Sequence, residues 1–170
     1  MKIPALSDGA TKGRAGVRGF HARQGGNVVS DGADDSLYNR MMSGERDLKT
    51  LLQDMKPEMQ TGVFVFCTLT EGKDIPAAVK PLLIFREQEG TTCVMRREEA
   101  ENAGLAFEFA SRLITLKIHS ALDAVGFLAA TAVRLAEAGI SVNVVSAFYH
   151  DHFFVPDDRA EEALRILHRP

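Results

Sequence analysis

Cysteine is scarce in this chain, long apolar runs are missing, and basic residues do not outnumber acidic ones. The two cysteines, Cys67 and Cys93, are too few and too far apart for a disulfide framework or a CxxC metal knuckle. Each sits in an apolar β-like run and reads as a buried, reduced thiol acting as a small hydrophobe. No apolar stretch approaches the roughly 18–20 residues needed to cross a bilayer. The N-terminus lacks the apolar core of a secretory signal. The expectation is therefore a cytoplasmic protein with no membrane partner. Net charge is −3; residues 1–40 carry six Lys/Arg against four Asp/Glu, leaving −5 for the remainder. Phosphate neutralisation supplies most nucleic-acid affinity, so an acidic chain without a basic stripe argues against that partner. Also missing are G-x-S-x-G, G-x-x-x-x-G-K-[ST], H-E-x-x-H and the Rossmann glycine fingerprint. Nothing positive points to catalysis or to a bound cofactor.

What is present begins irregularly. Residues 1–40 are rich in glycine, with scattered arginine and no apolar period, and cannot repay their ordering entropy by burial. They read as a disordered extension. Two origins stay open for it: a basic, transit-like leader, or sequence upstream of a start at Met41-Met42. From Asp47 the pattern is regular. Leu48, Leu51, Leu52 and Met55 lie at helical spacing before Pro57. Gly62 opens Val63–Leu69, apolar on both faces and so central in a sheet. Leu82–Arg86 and Thr91–Met95 form a hairpin around Gln88-Glu89-Gly90, and a short helix over Arg97–Ala103 closes at Gly104.

The remainder reads as β-α-β-β-α. Ile114, Leu116 and Ile118 alternate with polar residues, marking a strand with one wet face. Ser120 is placed as helix N-cap, with Asp123 three residues on in a capping-box position. The helix then buries Leu122, Val125, Ala129, Ala132, Val133 and Ala136 and stops at Gly139. That phase leaves Phe127 outside, as either a stray apolar residue or an interface anchor. Ile140–Phe148 and His152–Val155 are strands, and Ala160, Ala163, Leu164 and Leu167 line a last helix. Two helices on one face of an antiparallel sheet give a ferredoxin-like α+β plan. It lacks a fourth strand, which an N-terminal strand must supply unless an edge stays open. The expected division is 41–110 and 111–170, two intertwined subdomains in a homodimer or higher homo-oligomer.

Leu113–Gly126 and Leu135–Ser146, with Tyr149-His150-Asp151-His152-Phe153-Phe154-Val155-Pro156, resemble the ACT domain. They are most similar to short bacterial tandem-ACT proteins, with coverage from Leu48 to Leu167 once Phe85–Gly90 and Arg97–Leu105 are included. Met95-Arg96 departs from the aliphatic-Pro pair more usual there. The resemblance implies a regulatory, non-catalytic fold of βαββαβ subdomains. It implies an amino-acid ligand at a seam between two domains, near the loop joining first strand and first helix.

That loop supplies the candidate ligand-binding residues His119, Ser120, Leu122, Asp123, Val125 and Gly126. A helix N-terminus offers unpaired N–H groups to a carboxylate, Gly126 permits close approach, and Asp123 could hold an α-ammonium. Alternatively, Ser120 and Asp123 simply cap their own helix. Asn143 and His150 are added from the facing strand and turn, with Ser146 and Tyr149 as possible neighbours. His150-Asp151-His152 contains zinc or iron ligand types, but adjacent strand residues point to opposite faces. A metal-dependent enzyme built on these three residues is therefore the second alternative, after a ligand-free interaction module.

Overall fold

The computed structural model describes residues 44–70 and 72–169; the expectation for residues 1–40 falls outside them. Helix α1 (Leu48–Asp54) starts at Asp47, whose carboxylate accepts from the Thr50 N–H at 2.8 Å. It buries Leu51 completely. Pro57 opens a short strand, β1 (Pro57–Met59), and Gly62 in the left-handed region turns the chain into β2 (Phe64–Thr70). The expected hairpin is β3 (Leu83–Arg86) and β4 (Gly90–Arg96), followed by α2 (Arg97–Asn102). Then come β5 (Glu108–Leu116), α3 (Phe127–Glu137), β6 (Asn143–Ser146) and β7 (Asp151–Pro156). A 3-10 turn (Asp157–Arg159) leads into α4 (Ala160–Leu167).

The pairings between these strands are antiparallel, in the order β3-β4-β2-β5-β7-β6, with β1 also beside β5. One long strand explains the arrangement. The first part of β5 pairs with β2, through Ser111 opposite Phe64, and completes a β5-β2-β4-β3 sheet. Its last residues pair with β1, Leu116 opposite Pro57, and begin a β1-β5-β7-β6 sheet. Each set has the strand order of a ferredoxin-like unit, and the missing fourth strand of the C-terminal one is Pro57–Met59. In the N-terminal unit residues 72–82 are irregular, and Val79 fills in over the sheet where a first helix would lie. Within its pairing with β2, between Glu108 and Ser111, β5 carries a register shift, and Phe109 there adopts φ 53°. A bulge of this kind bends the strand and sharpens its twist.

The helix-covered face holds two cores. Val65, Cys67, Leu69, Cys93, Met95 and Ala100 fill the N-terminal one. Ile114, Leu116, Phe153 and Val155 meet Leu51, Ala160, Ala163 and Leu167 in the C-terminal one. β2 is covered on both faces in its first half, where Phe64 and Phe66 pack edge-to-face on Phe154 across the opposite side, at 6.0 and 5.5 Å. Further along that side Thr68 and Thr70 are exposed. Cys67 and Cys93, free and buried, stand directly opposite each other on β2 and β4. Thr115 is buried too, so β5 has no wet face over this stretch.

The central helix departs from its expected phase. It starts at Phe127, not after Ser120, and its N-cap is Gly126 at φ 92°. Its inward residues are Phe127, Thr131 and Leu135, spaced by four. Leu122, Val125, Ala129, Val133 and Ala136 are exposed instead. Phe127, at 2% exposure, is a core residue rather than an interface anchor. The physical reason lies in the first turn. Counting from a presumed cap at Ser120 misplaces the helix axis, whereas Thr131 returning its hydroxyl to the Phe127 carbonyl at 2.9 Å marks the true inner face.

Candidate functional site

After β5 the chain makes a ten-residue excursion, Lys117–Gly126, before α3 begins. A preceding segment straps it down. The Glu45 N–H donates to the His119 carbonyl at 2.8 Å, and the Ala121 N–H donates to the Glu45 carbonyl at 2.9 Å. Gly44 lies so close that a β-carbon would collide with the backbone of Ser120 and Ala121. Beside it Arg46 and Asp123 form an exposed ion pair at 3.1 Å.

Ser120 does not cap the helix. It is buried, and its Oγ donates to Asp151 Oδ2 at 2.8 Å. Asp151 is 2% exposed, and its Oδ1 has no hydrogen-bond partner among the described residues. The first-turn N–H groups of α3 precede its own hydrogen-bond ladder, and no side chain caps this end. Both features border one cavity of about 90 Å³, lined among others by Ser120, Leu122, Gly126, Leu128, Ser146 and Asp151. Next to it a groove of about 200 Å³ is lined by Arg46, His119, Ala121, Leu122, Asp123 and Phe148. The two share Ala121 and Leu122. Rings of His119, Phe148 and Tyr149 cluster over the groove's rim, His119 and Tyr149 at 5.4 Å.

Five of the eight residues chosen from sequence thus line these two spaces: Ser120, Leu122 and Gly126 in the cavity, His119, Leu122 and Asp123 in the groove, with Leu122 common to both. Gly126 also provides the left-handed turn, and Leu122 is 66% exposed. Val125, at 84% exposure, lines neither. Asn143 lies opposite Phe154 and therefore on the sheet face away from α3, whereas Ser146, three residues on, shares the inner face with Asp151. His150 sits in the β6–β7 turn, its carbonyl accepting from Ala147 at 3.1 Å. The seam geometry differs from expectation: no residue of β2, β3, β4 or α2 borders either space. The loop projects from the end of β5 remote from the β2 pairing, and the strap closes over it instead.

Asp151 and Arg46 were not among the chosen residues. A signal for Asp151 exists in the sequence, since it is in phase with Phe153 and Val155 and so must face the core with them. His152 faces the other way, its Nδ1 3.1 Å from Thr115 Oγ1. Burial, and then the neighbouring His150, push its pKa below the usual histidine value, against a smaller opposing pull from Asp151. With Asp151 and His152 on opposite faces, His150, Asp151 and His152 do not converge. Among the described residues no three His, Cys, Asp or Glu side chains are grouped to hold a metal. A depression of about 580 Å³ between α3 and α4 is an open groove of mixed charge that includes Arg134, Glu162 and Arg165. It lies away from the loop.

Two ACT-domain family models match in tandem, over residues 43–112 and 108–169. Their overlap falls on the first half of β5, the strand that both sheets use. A Vibrio cholerae protein of unknown function, described as a possible transport protein, is 46% identical, with a TM-score of 0.65 over 74% of this chain and 96% of that one. The chain belongs to the ACT-domain family. As a tandem-ACT protein it shares its fold with two further structures. One is Clostridium acetobutylicum aspartate kinase (6% identity, TM-score 0.53, 66% of this chain and 33% of that one). The other is the ligand-free regulatory subunit of aspartate kinase from Thermus thermophilus (12%, 0.50, 66% and 94%). No curated protein matches. ACT domains are typically regulatory, ligand-binding units, and no helix among the described residues is long and apolar enough to cross a membrane.

Proposed function

We propose that this tandem-ACT protein is a non-catalytic regulator that binds a small zwitterionic metabolite, an amino acid, beside the Lys117–Gly126 loop. The observation carrying this is the cavity that joins the uncapped N-terminus of α3 to the buried Ser120–Asp151 pair. A helix start attracts a carboxylate, and a carboxyl wall attracts a cation. The protein acts in the cytoplasm, and as a homo-oligomer: Leu122, Val125, Phe148 and Tyr149 leave an apolar surface around the loop that a second copy would cover. Regulation follows if the ligand binds one assembly more tightly than another. Melting curves of the full chain against the twenty amino acids test the reading. A true ligand at 100 times its dissociation constant adds about 2.7 kcal/mol; a flat panel rejects it.

A second reading, an interaction module without a ligand, draws on β3, the edge strand of the sheet among the described residues. There Leu82, Ile84 and Phe85 are exposed, and such edges invite pairing with another chain. It requires oligomers whose size is indifferent to every amino acid in that panel, as measured by sedimentation.

A further inference from the structure

Asp151 is a buried carboxylate whose bonding is half complete. Oδ2 accepts from Ser120, a neutral hydroxyl, while Oδ1 has no partner among the described residues. A buried charge is costly unless it is paired, and nothing cationic in the described structure pairs with this one. Arg46, the cation lining the adjoining groove, is committed to Asp123 at the surface. The position is not a structural accident of a turn. Asp151 opens β7 opposite Ser146 and Leu116, in phase with the core residues Phe153 and Val155. An apolar side chain there would extend the core and remove the unsatisfied Oδ1, at the cost of the single hydrogen bond from Ser120.

The same cavity has the opposite polarity on another wall, where Leu128 and Ala129 lie in the uncapped first turn of α3. The positive end of a helix repels a cation and attracts an anion. A ligand that is only an amine, or only an acid, would therefore satisfy one wall and be opposed by the other. A cavity of about 90 Å³ holds a handful of non-hydrogen atoms, the size of an amino acid's backbone end. We infer that Asp151 is the ammonium-binding group of this site. The α-carboxylate of the ligand lies at the start of α3, and its side chain leaves past Ala121 and Leu122 into the groove of Arg46, His119 and Phe148. This rests on reading the loop as an amino-acid site and assigns the ammonium contact to Asp151 in place of the exposed, ion-paired Asp123. Oδ1 is almost closed to solvent, so entry requires the exposed Leu122 segment to shift.

Calorimetric titration of the full chain decides. Each of the twenty amino acids is titrated first, and the tightest binder is compared with its α-hydroxy acid and its decarboxylated amine. The wild-type chain is expected to bind both analogues at least tenfold more weakly. Asp151→Asn is expected to bind the amino acid about tenfold to a hundredfold more weakly, while its affinity for the hydroxy acid stays within about twofold. Asp123→Asn, which alters the groove rather than the ammonium contact, is expected to leave the ratio of amino-acid to hydroxy-acid affinity unchanged. The free Asp151→Asn protein is expected to melt no lower than wild type, since it loses a buried unpaired charge; a purely structural aspartate would lower the melting point. Equal wild-type affinity for amino acid and hydroxy acid overturns the assignment, as does undiminished amino-acid binding by Asp151→Asn. If Asp151→Asn does not fold, the wild-type comparison of amino acid with hydroxy acid still decides. Absence of any wild-type signal across the panel is a different failure, that of the amino-acid site itself.

Discussion

His152 carries its imidazole on the sheet face away from the helices, beside Thr115. Burial, the first cause, and the charge of His150 disfavour its protonation, and together they outweigh Asp151. Its folded pKa is thus depressed below the ordinary 6.5 of the unfolded chain. The stability this represents is fully present above that value and is lost as pH falls from it through the folded pKa, because the unfolded state takes up the proton first. Melting temperature is therefore expected to decline below about pH 6.5, and His152→Gln to flatten that part of the profile. An unchanged slope would assign the pH dependence to other groups. Residue by residue, the sequence was informative where period two applies. Asp151, Phe153 and Val155 share a face whatever the rest of the molecule does. What period two does not reveal is that Ser120, thirty-one residues earlier, returns to meet Asp151.

Elements were legible to different degrees. The β3–β4 hairpin and α2 follow from turn glycines and alternation. The phase of α3 did not follow, because Ser120 and Asp123 form a persuasive cap signal that a tertiary contact overrides. Ser120 gives its hydroxyl to Asp151, Asp123 pairs with Arg46, and the cap passes to Gly126. With φ at 92°, and with Leu48 Cδ2 only 3.4 Å from where a β-carbon would sit, Gly126 has little freedom to change. Gly126→Ala is expected to destabilise the protein by roughly 1–2 kcal/mol, seen as a lower denaturant midpoint with unchanged slope. A midpoint equal to wild type would mean that α3 can start from an ordinary conformation.

For the whole molecule, the decisive fact is that β5 belongs to both sheets. Neither ferredoxin-like unit closes without it, and α1 and β1, N-terminal in sequence, complete the C-terminal core and sheet. The two halves are therefore expected to unfold together. Cys67 and Cys93 report on the N-terminal half. Burial, and for Cys67 also the facing Cys93, raises their pKa, so both thiols resist alkylation while folded. In a denaturant series their reactivity should appear at the same midpoint as the loss of helical circular dichroism, which α1, α3 and α4 dominate. Separate midpoints would show that the units are independent.

By itself the sequence determined the class of fold, since alternation, helical spacing and turn residues act over a few neighbours and leave few arrangements open to an antiparallel α+β chain. It also marked the excursion after β5 as the place where polar groups and a helix start come together. The tertiary structure alone decided which strand closes the C-terminal sheet, which face of α3 turns inward, and that Ser120 returns to meet Asp151 at a shared cavity. Each of these depends on residues far apart in the chain. Long-range pairing and burial set their energies, and no local pattern encodes either.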